Sequence, residues 1–401
     1  MRLCCVGSLL LSILSLISAA GCGGPASTSQ AGSLQVVAPQ SAMQAGASQQ
    51  LKAILKDANG STTDVTAKAA WSSQSNAVAS VSVGGLVTAA TSGSAKISAS
   101  YQETSNSTQI QVTKLFGVST CCPNQFLLLT PSMGQFSVVQ SIGNELSGFF
   151  GSATDPENHR FYVPRQDSTT YVWSLLTLDT QMGVLISTQP LSITGGFDWQ
   201  WDAVSQELLL ITDWNATTNS NNLVFLDPAS TTVTPILQVG DASVNFTPAT
   251  SGFDSKSGTF YCIRYSSGNE PFLLAVSVSS GVIQSQLPIT PPLPFVMQFD
   301  ESSGLLYGLG GTSFVSIDPA TGNSKVIGTV GDSNTLFEAF LSAIDSARRR
   351  FYVVEVVPTT GGPDTYQILG IDLDTGTVAE TLSLNTPIIL LGAEEAATTG
   401  Q

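Results

Sequence analysis

Two marks recur in a fixed order along the latter part of this 401-residue chain, and they constrain the fold more than any other feature. The first is an aspartate followed by a short apolar or aromatic run. Asp155 precedes Phe161-Tyr162-Val163, Asp202 precedes Leu208-Leu209-Leu210, and Asp254 precedes Phe260-Tyr261-Cys262. Asp300 precedes Leu305-Leu306-Tyr307, and Asp345 precedes Phe351-Tyr352-Val353. The second mark closes a later strand: Thr130, Asp179, Asp227, Ser277, Asp318 and Asp372, at intervals of 49, 48, 50, 41 and 54. A period of this size with several strands per unit predicts sheets arranged radially, as blades of a β-propeller. The marks need no catalytic explanation. Aspartate at a turn accepts hydrogen bonds from the backbone just ahead of it, and the accompanying glycines accept positive φ.

Five full units and one split unit are legible. Residues 115–142 supply the later strands of the split blade, and Pro387 to Ala393 can supply its missing inner strand. Pairing the two ends in this way removes exposed strand edges. The expectation is six blades, with seven as the alternative if residues 115–150 hold further strands.

Ahead of the repeat lies a different pattern. In Gln50-Leu51-Lys52-Ala53-Ile54-Leu55-Lys56, lysines alternate with apolar residues, Ile54 excepted. Asn59-Gly60 then marks a tight turn. Seven short strands between residues 33 and 113 predict an immunoglobulin-like sandwich with Trp71 as its central core residue. The stretch Trp71-Ser72-Ser73, Val78-Ala79-Ser80-Val81, Gly85-Leu86-Val87-Thr88-Ala89 and Gly93-Ser94-Ala95-Lys96-Ile97 resembles the group 2 bacterial immunoglobulin-like domain (Big2). The resemblance implies a surface protein in which this module is a spacer, or in the adhesin case the binding element. The repeat region resembles, at fold level, bacterial propellers of the YncE or lactonase-like kind. The fold class expected is therefore all-β: an Ig-like β-sandwich followed by a β-propeller.

Before the sandwich, Arg2 is the only charge ahead of Cys22, and Leu9 to Ile17 is apolar apart from Ser12 and Ser15. A basic start, a short apolar core and small residues describe a secretory signal. Ala19-Ala20-Gly21-Cys22 resembles the lipobox of bacterial lipoproteins, with Ala19 where leucine is more usual. That resemblance implies acylation of Cys22 and, since Gly23 is not Asp, an outer-membrane rather than inner-membrane address. The Gly/Pro/Ser/Thr/Gln stretch that follows reads as a tether. The expected division is 1–21 signal, 22–32 tether, 33–113 sandwich and 114–401 propeller.

Charge is uneven. Residues 33–114 hold five lysines and three acids; residues 115–401 hold eight basic residues and 26 acids. An acidic propeller repels phosphate backbones, which argues against nucleic acid as a partner. Of the six cysteines, Cys121, Cys122 and Cys262 follow the tether. An exported compartment permits a bridge among them, and Cys262 as a buried thiol is the other reading. The single histidine, His159, reads as a turn residue. Asp332, Asp372 and Asp374 read as turn carboxylates, with calcium the alternative. Arg348-Arg349-Arg350 reads as a solvated basic turn. Trp199 and Trp201, two apart on a strand, share one face and read as blade packing. Trp214 is the candidate for stacking on a sugar. No Ser-His-Asp set, nucleophile elbow or phosphate loop is present in the sequence.

The function these features imply is a lipid-anchored envelope protein. Its sandwich would hold off a propeller that binds a ligand, such as a carbohydrate, or an envelope protein, with no cofactor and no catalysis. Two alternatives compete with it. One is a metal-dependent, lactonase-like hydrolase or lyase using acids at the inner-strand ends, Glu338 for instance. The other is adhesion through the sandwich.

Overall fold

The computed structural model describes residues 32–119, 124–130, 135–143, 146–147, 151–167, 169–193, 196–212, 220–241, 245–359, 362–384 and 387–395. All regular structure among them is β-strand. No helix among the described residues is long and apolar enough to cross a membrane. Cys22, Cys121, Cys122 and Trp214 lie outside the described residues.

Residues from Ser33 onward form the sandwich. Ser33–Val37, Lys52–Lys56 and Thr62–Asp64 make one sheet; Ala70–Ser73, Gly93–Tyr101 and the strand beginning at Thr104 make another. A third, short sheet pairs Ser48–Gln50, Leu86–Ala89 and Ala79–Val81. The Asn59-Gly60 turn forms as expected, with Asp57 Oδ1 accepting the Asn59 and Ser61 amides at 2.9 Å each. Trp71 departs from expectation. It is half-buried beside the core, donates its indole N–H to the Thr66 carbonyl at 3.0 Å, and leaves the centre to Leu51, Ile97 and Ile110. An indole N–H needs an acceptor, and the acceptor here lies at the edge of the domain.

The propeller has six blades among the described residues, each with four main strands; in blade 1 the short strand Leu146–Ser147 also pairs with Arg160–Asp167. Blade 1 is Ala153–Asp155, Arg160–Asp167, Trp173–Asp179 and Val184–Pro190; blade 2 is Gly196–Asp202, Glu207–Thr212, Ser220–Leu226 and Val233–Asp241. Blade 3 is Asn245–Asp254, Thr259–Tyr265, Pro271–Ser277 and Val282–Pro288; blade 4 is Val296–Asp300, Leu305–Gly310, Ser313–Ile317 and Ser324–Thr329. Blade 5 is Leu336–Asp345, Arg350–Val357, Thr365–Asp372 and Val378–Leu384. Blade 6 is the split one. Its inner strand, Ile388–Glu394, comes from the far end of the chain and pairs antiparallel with the long strand Thr104–Ser119; Asn124–Thr130 and Gln135–Gly143 complete it.

Each blade packs its neighbours through the apolar residues of the repeat. In blades 1 and 3 the tyrosine of the run stacks on the next blade's inner strand, Tyr162 on Trp201 (5.5 Å between centroids) and Tyr261 on Phe299 (5.6 Å). Trp199 and Trp201 face the same apolar cluster with Tyr162 and Trp173.

The boundary expected between residues 113 and 114 falls inside one strand. Thr104–Ser119 begins as a strand of the sandwich, paired with Gly93–Tyr101, and continues as the second strand of blade 6, paired with Ile388–Glu394. The two domains therefore share a sixteen-residue element and have no linker.

Candidate functional site

The six inner strands run in the same sense and end at the same face. Aligned on that end, they finish in Asp155, Asp202, Asp254, Asp300, Asp345 and Glu394. The first five do what turn aspartates do. Asp155 Oδ1 accepts the Glu157 and Asn158 amides, Asp254 Oδ1 those of Lys256 and Ser257, and Asp345 Oδ1 that of Arg348. The residue four beyond each aspartate has positive φ: His159, Gln206, Gly258, Gly304 and Arg349. Glycine adopts this conformation without strain, whereas a side chain there carries a cost of order 1 kcal/mol.

His159 and Arg349 occupy that costly position and share a second property. Each reaches back to the acid that ends the preceding blade's inner strand. Arg349 donates to Asp300 of blade 4 and also to Asp374, at 2.7 Å. His159 of blade 1 sets Nδ1 2.6 Å from Glu394 of blade 6. The adjacent arginines are equally engaged. Arg348 pairs with Glu380 at 3.1 Å and Arg350 with Asp372 at 2.6 Å. The basic turn is thus a set of ion pairs between strands and blades rather than a solvated turn, and Asp372 and Asp374 serve it as counter-charges. Asp332 caps a turn, accepting the Asn334 amide at 2.8 Å.

Glu394 differs in that the strand beside it in its blade comes from elsewhere in the sequence. Its buried carboxylate accepts instead from the Ser92 hydroxyl of the sandwich and the Thr180 hydroxyl of blade 1, besides meeting His159. Lys114, cross-strand from Glu394, is buried and donates Nζ to the Thr180 carbonyl at 2.7 Å. Burial pulls the Lys114 pKa down, and the nearby carboxylates of Glu394 and Asp179 act in the opposite sense. One carboxylate therefore ties the sandwich, the closing blade and the first blade together.

The next residue, Glu395, accepts the Ser346 amide at 2.6 Å. Burial and the neighbouring Asp345 carboxylate push its pKa upward. Asp300 goes the other way. Burial alone would raise it, but hydrogen bonds from Ser346, Ser303, Ser302 and Arg349 outweigh that and hold it below the ordinary range.

The inner strands enclose a central channel of about 210 Å³. Two positions before the terminal acid stand Ala153, Gln200, Gly252, Gln298, Ala343 and Gly392. Small residues let adjacent inner strands approach: a Cβ on Gly252 would sit 2.9 Å from the Phe299 Cβ. At the two glutamines the approach is polar. Gln200 Nε2 donates to Ser251 Oγ at 3.1 Å, and Gln298 Nε2 to Ser342 Oγ at 3.2 Å. Asp198 and Glu301 also line the channel. Asp198 is 3% exposed and sits at a break in strand register with φ of 58°. Glu301 Oε1 accepts the Ser255 amide at 3.1 Å and the Ser255 hydroxyl.

Glu338, the example of an inner-strand-end acid on which the enzymatic alternative drew, does not line the channel. It lies half-buried where the register of blade 5's inner strand breaks, and burial raises its pKa. Among the described residues no group of three or more His, Cys, Asp or Glu is placed to hold a metal ion. Cys262 is a free, fully buried thiol in the cluster with Leu209, Phe260 and Leu274, so of its two readings the bridge is not formed. Burial pushes its pKa up, which makes it inert. Sequence reasoning missed Gln200, Gln298, Asp198 and Glu301. Their signal was their register against the terminal aspartates.

Comparison with known proteins adds the following. Residues 30–112 match the bacterial Ig-like domain (group 2) family. No curated protein matches the chain. Among solved structures, a chain of a nidogen/laminin complex is 13% identical, covering 70% of this chain and 98% of its own, at a TM-score of 0.49. TolB from Acinetobacter baumannii is 11% identical over 70% of this chain and 66% of its own, at 0.47. A putative 6-phosphogluconolactonase from Bacteroides uniformis is 13% identical over 67% and 82%, at 0.41.

Proposed function

We propose that this chain, a group 2 bacterial Ig-like domain continuous with a six-bladed β-propeller, is an exported envelope protein anchored by lipid on Cys22. In this reading the sandwich is a stiff spacer, and the propeller channel binds a small ligand without transforming it. The observation that carries the proposal is the shared strand Thr104–Ser119, locked by Glu394. A flexible linker would let the propeller tumble on its tether. A common strand with a buried, hydrogen-bonded carboxylate across the junction fixes the direction in which the channel points.

Support for binding comes from the lining, in which amides and hydroxyls from different blades converge. Support for the anchor comes from Ala19-Ala20-Gly21-Cys22 and the polar stretch after it. Several acyl chains on one residue hold a protein stably where one chain is marginal.

Fractionation tests the anchor. Expressed in a bacterial host, the wild-type chain should sediment with membranes and Cys22→Ser should appear in the soluble fraction. Identical partitioning of the two would overturn it. Small-angle scattering of a soluble form tests the stiffness. One fixed arrangement should fit the curve; a fit obtained only with many sandwich orientations would overturn the spacer role.

A further inference from the structure

We infer that His159 makes the joint between sandwich and propeller respond to pH, fastening it in acid and easing it as the imidazole gives up its proton. This regulation deepens the spacer reading and rests on the stiff joint of that reading.

The chain holds one histidine, and it stands where three parts of the molecule meet. Its Nδ1 lies 2.6 Å from Glu394 Oε1; the His159 side chain is 33% exposed and that of Glu394 0%. A proton therefore reaches the ring from solvent, and its charge acts on a carboxylate shielded from water. The same carboxylate accepts from the Ser92 hydroxyl of the sandwich and the Thr180 hydroxyl of blade 1. Whatever strengthens the hold of His159 on Glu394 is passed to the sandwich and to the closure of the ring together. A charge-assisted hydrogen bond is about twice as strong as a neutral one, so the imidazolium holds harder than the imidazole. The backbone agrees with a special role. His159 has a φ of 55°, at a turn position that glycine fills in blades 3 and 4 as Gly258 and Gly304.

The groups around the ring fix the sign. Histidine changes charge between about pH 5 and pH 8. Glu394 meets the ring from the closing strand and Asp179 stands by it in blade 1, and its own turn adds Asp155 and Glu157. The cations are Arg160, paired with Asp179 at 2.8 Å, and Lys114 of the shared strand, which donates to the Thr180 carbonyl at 2.7 Å. Glu395, next to Glu394, is turned to the Ser346 amide of blade 5. Acids outnumber cations, and one acid is in direct contact, so the protonated ring is the favoured partner. A histidine that gains a carboxylate on folding contributes fully in acid and loses that contribution as pH rises.

Urea denaturation of the full chain at about pH 5.5 and about pH 8 tests this, comparing wild type with His159→Asn. Asparagine tolerates the same left-handed backbone, so the variant removes the ring and not the turn. The substitution should lower the folding equilibrium constant at least about fivefold more at the acid pH than at the alkaline one. Glu395 titrates in both chains, so the difference isolates His159. In a Glu394→Gln background the same substitution should act equally at both pH values, which ties the proton to this carboxylate. Hydrogen exchange, expressed as protection factors, reads the joint itself. Protection of Ile388–Glu394 should fall with rising pH relative to Thr259–Tyr265 of blade 3, and should fall less in His159→Asn. An equal cost of His159→Asn at both pH values overturns the inference, as does a pH effect that the two strands share alike. The stiff-spacer reading fails separately, through small-angle scattering that needs many sandwich orientations already in acid.

Discussion

Blades 1 to 5 and blade 6 end their inner strands with the same functional group and use it differently. In blades 1 to 5 an aspartate turns inward on its own loop and holds amides two or three residues ahead. In blade 6 a glutamate, one methylene longer, reaches out of its blade to Ser92, Thr180 and His159. The difference follows from connectivity. A turn aspartate bonds chiefly within its own loop, whereas Glu394 ends an inner strand that joins the rest of its blade only by pairing with Thr104–Ser119. Its carboxylate holds the ring shut and fastens the sandwich to it.

The sharpest way to break this comparison is to remove one acid of each kind. Glu394→Ala leaves Lys114 buried without its principal counter-charge, which costs about 3–5 kcal/mol. Asp254→Ala loses turn hydrogen bonds near the surface and should cost about 1 kcal/mol. Chemical denaturation of the two variants measures both. Equal losses would mean that the closing blade is not special.

The pH dependence separates the acids that follow. Glu395 has its pKa raised from 4.5 to about 8 by burial and by Asp345. Its favourable contribution is therefore complete below the ordinary carboxylate range and is lost as pH rises through about 8. Glu395→Gln should flatten the decline in melting temperature between pH 5 and pH 9. An unchanged slope would place the titrating group elsewhere.

A smaller effect tests the reach-back side chains. At Arg349, glycine relieves the positive φ that alanine keeps, so Arg349→Gly should be more stable than Arg349→Ala by about 0.5–1 kcal/mol. Both should fall below wild type, because Asp300 and Asp374 lose their partner. If the cost of Gly258→Ala differs widely from that of Arg349→Ala relative to Arg349→Gly, the five turns are less alike than the alignment implies.

Much of this architecture was legible because repeats expose it. Five aspartates five or six residues ahead of five apolar runs give the blade, and Pro387 to Ala393 gives the closing strand. The turns were legible for the same reason, since an aspartate that bonds to the amides two and three residues ahead involves no distant partner. The arginine turn was misread because the acids that neutralise Arg348 and Arg349 lie 25 to 49 residues away, in other strands or another blade. Trp71 was misplaced because hydrophobicity suggests burial and does not say where the indole N–H will find its acceptor.

Sequence by itself determined the β-only character, the propeller repeat and the identity of the sandwich, and narrowed the blades to six or seven, because each depends on short-range periodicity that repeats or matches a known pattern. Only the tertiary structure decided that the two domains share a strand, that Glu394 meets a serine 302 residues away, and which polar side chains meet in the channel. Such contacts join residues from separate strands, and their partners are fixed by inter-strand register and by the angle between blades, quantities that no local stretch of sequence encodes.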